Sequence, residues 1–156
     1  MADHILANTD EEYRNAAILF KEYAAWLNID LGFQHFEEEL MQLKTMYGTP
    51  EGGIILCRTG NEFIGCVGIR KIDSNTAELK RMFIKPVFQK QGAGRQLLEK
   101  AVELAGTLNY SSIRLDTLNY MTAAINLYRK FGFYEIPAYY HNPNETAVYF
   151  EIKLNA

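Results

Sequence analysis

The sequence predicts a mixed α/β fold: a mostly antiparallel sheet flanked by helices, around a central β-loop-α-β unit. Three observations point there. Short apolar runs separated by tight turns fill residues 53–84, the pattern of successive antiparallel strands. A glycine-containing loop, Gln89 to Arg95, then joins a strand to a helix. Strand and helix alternate again after that helix, which makes the sheet mixed.

Each element has its own signal. Residues 4–7 read as a short first strand. Thr9, followed three residues later by Glu12, is a capping-box signal. The helix it starts runs to Leu27, with Tyr13, Ala16, Ala17, Phe20, Ala24 and Leu27 at helical spacing. A second helix is predicted over 33–43, with Phe36, Leu40 and Leu43 on one side. Tyr47-Gly48-Thr49-Pro50 is a break. Strands are predicted over 53–58 and 63–72. The turn between them, Thr59-Gly60-Asn61-Glu62, contains Gly and Asn, which tolerate positive φ. Asp73-Ser74-Asn75 turns into a strand over 76–84, which Pro86 ends because proline cannot donate to a ladder. A helix is predicted over 93–108, with Leu97, Leu98, Val102 and Ala105 on one face. In the strand 112–117, Ile113 and Leu115 alternate with Arg114 and Asp116. A short helix over 122–130 and strands over 133–139 and 147–154 complete the chain.

Bulk properties exclude several classes. A length of 156 residues suits one domain, 1–156. No apolar run approaches the roughly 20 residues of a membrane span. Met1-Ala2-Asp3-His4 lacks the basic start and apolar run of a signal peptide. A cytoplasmic protein with no membrane partner is therefore expected. Cys57 and Cys66 lie in apolar runs without metal-type spacing and read as small buried hydrophobes. His4, His35 and His141 are scattered, so no metal is expected. The net charge of -3 argues against a nucleic-acid partner.

Charge is unevenly distributed along the chain. Residues 80–100 carry Lys80, Arg81, Lys85, Lys90, Arg95 and Lys100 against Glu99 alone. Residues 1–40 are strongly acidic. A basic middle suits a polyanionic ligand and an acidic start suits a cationic one, with Asp30 and Glu37 as candidate contacts. Solvated helix faces would give the same count.

The segment from Met82 to Arg95 is the most informative. A strand ends at Ile84, and Gln89-Lys90-Gln91-Gly92-Ala93-Gly94-Arg95 opens a helix. Unpaired N–H groups and the dipole at a helix start attract an anion. Gly92 and Gly94 remove side chains that would hold a phosphate away, and Lys90 and Arg95 add positive charge. A glycine-rich cap without a ligand looks alike. A dinucleotide fold is also imitated, with Asp116 in place of its ribose-binding acid. Leu97 stands where that fold's third glycine belongs, however, and three strands precede the loop.

The pattern Gln89-x-x-Gly92-x-Gly94 resembles the Q/R-x-x-G-x-G/A signature of the GNAT acetyltransferases. The run from Ala124 to Phe133, with Leu127, Tyr128, Gly132 and Phe133, is similar to that family's A-x-x-L-Y-x-x-x-G-F segment. The resemblance spans 53–154 and implies an acetyl-CoA-binding β-loop-α-β unit and N-acetyl transfer to a primary amine of a small molecule or peptide. It implies that backbone groups of Met82, Phe83 and Ile84 pair with the pantetheine arm. The loop containing Gln89, Lys90, Gln91, Gly92, Ala93, Gly94 and Arg95 would hold the pyrophosphate. Tyr128 would protonate the departing thiolate, and Glu78 would accept the amine's proton. For Tyr128 a core aromatic, and for Glu78 a partner of Lys80 or Arg70, are the bland alternatives. Many members have an asparagine where this chain has Met121, and Asn119 is a candidate substitute. Tyr139 to Asn144 reads as a loop that borders the acceptor, packs internally, or meets a second copy in a homodimer. A non-catalytic acyl-CoA-binding module or sensor on the same fold is the alternative to an enzyme.

Overall fold

The computed structural model describes residues 2–32 and 35–154. Seven strands form one sheet: β1 (Ala2–Leu6), β2 (Gly53–Thr59), β3 (Glu62–Lys71), β4 (Thr76–Ile84), β5 (Ser112–Leu118), β6 (Tyr134–Ile136) and β7 (Ala147–Lys153). Their spatial order is β1-β2-β3-β4-β5-β7-β6. The helices are α1 (Asp10–Leu27), α2 (Phe36–Met41), α3 (Leu43–Met46), α4 (Ala93–Thr107) and α5 (Thr122–Phe131), with a 3-10 turn at Pro86–Phe88. Neighbouring strands run antiparallel except β4 and β5, which are parallel. A parallel pair needs a crossover, and α4 supplies it.

The local signals act as chemistry requires. Thr9 Oγ1 accepts from the Glu12 N–H at 3.1 Å, and Glu12 Oε1 accepts from the Thr9 N–H at 3.0 Å. This closes the capping box of α1. Asn28, at φ 56, ends that helix.

The predicted helix over 33–43 and the predicted strand over 133–139 differ from the sequence expectation in extent. The helix predicted over 33–43 begins on Phe33 and Gln34, which lie outside the described residues. From Phe36 onward the chain forms two short helices, α2 and α3, that part at Gln42. The strand predicted over 133–139 pairs with β7 only across Tyr134–Ile136. Pro137 ends it, for the reason that Pro86 ends β4.

The sheet is covered on both faces. Val67, Leu79, Ile113 and Phe150 face α4 and α5, where Leu97, Leu98, Ala101 and Tyr128 meet them. Ile54, Leu56, Cys66 and Phe83 face the other way, against Leu19 and Phe20 of α1 and against Tyr47. Each fully buried aliphatic side chain contributes roughly 1.5–3 kcal/mol. Tyr47 can lie on β3 because residue 68 is glycine: a Cβ there would stand 2.6 Å from its ring.

The sequence suggests a regular strand over 76–84, but β4 is bulged. Cys66 pairs with Phe83 and Gly68 with Lys80, so Val67 opposes both Arg81 and Met82. Arg81 takes φ 59 there, and the Cys66 thiol donates to its carbonyl at 3.3 Å. The extra residue resets the alternation. Ala77 and Leu79 face α4 before the bulge, and Ile84 does so after it. Past Glu78 and Arg114, β4 and β5 stop pairing although both strands continue. A wedge thus opens in the middle of the sheet.

Candidate active site

One side of the wedge is a groove of about 600 Å³, lined by Met82, Phe83, Ile84, the start of α4, residues of α5, and Tyr23 and Trp26 of α1. The Lys85 N–H donates to the Ile64 carbonyl of β3 at 2.8 Å. Alternation therefore turns the backbone groups of Ile84 and Met82 towards the wedge and those of Phe83 towards β3. The Ile84 carbonyl is already taken, by the Gln89 side-chain amide at 2.8 Å. Phe83 contributes its ring, which meets Tyr23 and Trp26 at centroid distances of 5.9 and 5.7 Å.

At the far end of the groove lie Gln89, Lys90, Gly92, Gly94 and Arg95. Gly92 caps α4 with φ 85. A Cβ on Gly92 would meet no protein atom within 4 Å. Packing does not require glycine there; the positive φ does, and the space above the helix start is open. Lys90 and Arg95 are exposed, and Arg95 Nε donates to Glu99 at 3.0 Å. Gln91 is exposed and Ala93 packs into the core, so neither lines the groove. Met121 does line it, whereas Asn119 is exposed and is absent from the lining.

Across the wedge is a smaller cavity of about 50 Å³. Leu27, Ile29 and Leu31 form its apolar side; Lys80, Arg81, Asp116, Asn142 and Asn144 form its polar side. Tyr128 lines both spaces. Its ring is 5% exposed and leans on Phe133 and Phe150 at 5.6 and 6.5 Å. Burial, reinforced by Tyr23 and Asp116 nearby, holds its pKa far above the ordinary tyrosine value. The phenol is therefore protonated at neutral pH.

Glu78 stands behind this cavity. Arg70 Nε donates to its Oε1 at 2.9 Å and the Tyr139 hydroxyl to its Oε2 at 2.6 Å, while Lys80 Nζ lies 4.0 Å away. The carboxylate on the cavity wall is Asp116, whose Oδ2 accepts from the Tyr140 hydroxyl at 2.8 Å. In the sequence Asp116 only imitates a ribose-binding acid. Its alternation with Ile113 and Leu115 is the one signal there that it faces away from α4.

The charge blocks of the sequence do not become two surfaces. Glu39, from the acidic start, is buried on Arg81, whose Nε and Nη2 donate to it at 3.1 and 2.8 Å. Asp10 pairs with Lys44, and Glu22 with Lys85. Lys80 and Arg81 are buried on the cavity side, apart from Lys90 and Arg95 at the α4 start. Asp30 and Glu37 are exposed and line neither space.

Two spaces that share Tyr128 and Tyr23 on their walls suit transfer of a group from a long donor to a small acceptor, so fold and site define a group-transfer enzyme. The chain belongs to the acetyltransferase (GNAT) family, whose model matches residues 18–133. It is 31% identical to an uncharacterized N-acetyltransferase of Schizosaccharomyces pombe, over 88% of this chain and 86% of that protein. Among solved structures, a GNAT-family acetyltransferase from Staphylococcus aureus aligns with a TM-score of 0.82 at 21% identity, covering 99% of this chain and all of that one. An Elizabethkingia anophelis GNAT acetyltransferase with acetyl-CoA bound aligns at 0.70 and 22% identity, covering 98% of each chain. These two show the fold. Among the described residues, no helix is long and apolar enough to cross a membrane, and no cluster of His, Cys, Asp or Glu is arranged to hold a metal.

Proposed function

We propose that this protein moves the acetyl group of acetyl-CoA to the primary amine of a small acceptor by direct attack, with Tyr128 as general acid. The observation that carries the proposal is the position of Tyr128, on the wall of both groove and cavity. Acetyl-CoA supplies the activated thioester. The pantetheine arm fits along Met82 and Ile84, whose outward N–H groups have no strand partner from β5. The start of α4, at Gly92 to Arg95, faces the pyrophosphate with N–H groups and dipole, and Lys90 and Arg95 add charge.

The acceptor nitrogen attacks from the cavity side as the free amine. A C–N bond forms to the acetyl carbonyl carbon, and the C–S bond breaks. Tyr128 gives its O–H proton to the leaving thiolate, and the proton that the nitrogen sheds as the amide forms restores the phenol. The proton lost by the acceptor's ammonium goes to a carboxylate, and Asp116 is the one on the cavity wall. Glu78, the base implied by the family resemblance, reaches the cavity through Lys80. A sensor would need no donor at this junction, which favours the enzyme reading. The two buried, free thiols of Cys57 and Cys66 are compatible with a reducing, cytoplasmic setting.

The cradle has a direct test. Saturation with acetyl-CoA at about 100 times its Kd should stabilise the fold by about 2.7 kcal/mol. For a chain of this size that is a Tm rise of about 5–10 °C. Gly92→Asp should cancel the rise, since its carboxylate would occupy the pyrophosphate position. No protein atom opposes the new side chain. Only the φ of 85 should cost stability, roughly 1–2 kcal/mol. Thermal unfolding with and without acetyl-CoA reads both effects, and an undiminished rise in Gly92→Asp would remove the cradle.

A further inference from the structure

The segment 137–146, between β6 and β7, sends two consecutive tyrosines to the two strands of the wedge. The Tyr139 hydroxyl donates to Glu78 of β4 at 2.6 Å, and the Tyr140 hydroxyl donates to Asp116 of β5 at 2.8 Å. The two carboxylates differ in setting. Glu78 is also held by Arg70 and is absent from the cavity lining, whereas Asp116 is on the cavity wall. The rings of Tyr139, Tyr140 and Tyr149 pack edge to face on one another at 5.4–5.7 Å, and Tyr149 is the β7 residue paired with Asp116. Ring packing and strand register thus fix where the Tyr140 hydroxyl stands. Its direction is fixed as well. Asn142 Oδ1 accepts from the Asn144 N–H at 2.9 Å, so the Asn142 amide presents its Nδ2 on the other side. That Nδ2 donates to the Tyr140 oxygen at 3.1 Å, and the hydroxyl directs its own proton to Asp116 Oδ2. Burial, reinforced by the Asp116 charge, holds the Tyr140 pKa above its ordinary value, so that proton is present at neutral pH.

We propose that Tyr140 is a positioning residue for acetyl transfer: through the hydrogen-bond chain that starts at Asn142, it orients Asp116 to take a proton from the acceptor's ammonium. This role deepens the acetyl-transfer reading and rests on it. The bond from Tyr140 occupies Oδ2 and leaves Oδ1 to meet the ammonium. An N–H proton passes to Asp116, and the nitrogen lone pair is released for attack on the acetyl carbon. The carboxyl returns the proton to water after the product leaves. The other ionisable groups around Asp116 are Lys80 and Arg81 of β4, Tyr23 of α1, Tyr128 of α5 and Tyr149 of β7. Burial raises the pKa of each of these three phenols and lowers that of Lys80. All of these groups stay in place when Tyr140 is changed. Tyr139 serves Glu78 in the same way and so provides the control.

The test uses two probe nucleophiles of the same size and shape, ethylamine and methoxyamine. Both are small enough for a cavity that takes only a few water-sized groups. Ethylamine, like a lysine amine, is almost wholly ammonium at neutral pH and needs a proton acceptor. Methoxyamine is already the free base. Initial rates are measured at neutral pH with saturating acetyl-CoA, and the uncatalysed reaction is subtracted. Tyr140→Phe should lower kcat/KM for ethylamine by about tenfold or more, the usual effect of losing a hydrogen bond to a charged group, and for methoxyamine by no more than about twofold. Asp116→Asn should show the same selectivity with a loss of about 10²-fold or more. The double variant should be no slower with ethylamine than Asp116→Asn alone, because the two residues act as one unit. Tyr139→Phe should slow both probes by the same factor. Phenylalanine retains the ring packing at residue 140, and the Tm rise with acetyl-CoA reports that the variant is folded. Should it not fold, Asn142→Ala, which removes the donor that directs the hydroxyl, must show the selective loss instead. An equal loss with both probes, or no loss, overturns the role of Tyr140. So does a selective loss in Tyr139→Phe alone, which would transfer that role to the partner of Glu78. Each of these results leaves acetyl transfer standing. A wild-type protein that acetylates neither probe refutes the underlying reading instead.

Discussion

Tyr128→Phe should lower kcat by about 10²–10⁴-fold, the usual range for a general acid. The acetyl-CoA Kd should stay within about twofold of wild type, since removing only the phenol hydroxyl changes no groove contact of the ring. Phenylalanine retains the ring that packs on Phe133 and Phe150. The fold should therefore be as stable as wild type. The size of the effect depends on how readily water replaces the donor; burial at 5% exposure restricts that route. Single-turnover acetyl transfer at saturating acetyl-CoA isolates the chemical step. A wild-type rate across pH would return Tyr128 to the role of a core aromatic.

The two carboxylates offer a contrast in the same assay. If Asp116 takes the ammonium's proton, Asp116→Asn should be slow at neutral pH and recover as pH rises, because the free amine then needs no base. Glu78→Gln should show no such recovery and should instead perturb Arg70 and Tyr139, its hydrogen-bond partners. Recovery in Glu78→Gln alone would give the base role to Glu78.

The largest effect on stability is expected at Glu39→Gln, a loss of about 3–5 kcal/mol. The Arg81 guanidinium is 4% exposed and Glu39 1% exposed, so neither charge can turn to water when its partner is removed. Glu39 also accepts from the Tyr47 hydroxyl at 2.9 Å. Glutamine retains the shape and one acceptor oxygen but leaves a buried cation uncompensated. For a chain of this length the Tm should fall by about 10 °C. Burial alone would raise the Glu39 pKa, but the Arg81 hydrogen bonds and charge outweigh it and hold the carboxyl below its ordinary value. The folded pKa is thus below the unfolded one. The stability this gives is complete above the unfolded value and is lost as pH falls through the folded one. Urea unfolding from neutral to acidic pH should show that part of the acid dependence missing in Glu39→Gln. An equal stability of variant and wild type at neutral pH would refute the assignment.

Much of the fold was legible because its signals are local. The capping box of α1 needs only Thr9 and Glu12. The end of β4 before Pro86 needs only the missing N–H of proline. The same rule applied to Pro137 would have shortened the strand predicted over 133–139 to the three residues that pair. The bulge at Arg81 was not legible. Arginine at positive φ has no preference of its own for that state, and the conformation is held by Cys66 and Glu39.

The sequence by itself determined the mixed sheet, the glycine at the start of α4 and the presence of Tyr128 after a family-like Leu. Those features depend on spacing, on the φ that glycine permits, and on short motifs. Only the tertiary structure decided which charges meet. Glu39 and Arg81 are 42 residues apart and Tyr139 and Glu78 are 61 apart. Lys80 and Asp116 share a cavity because β4 and β5 lie side by side and then part. Strand pairing and its interruption at the bulge set such contacts. They arise from register between distant segments, which no local pattern of residues encodes.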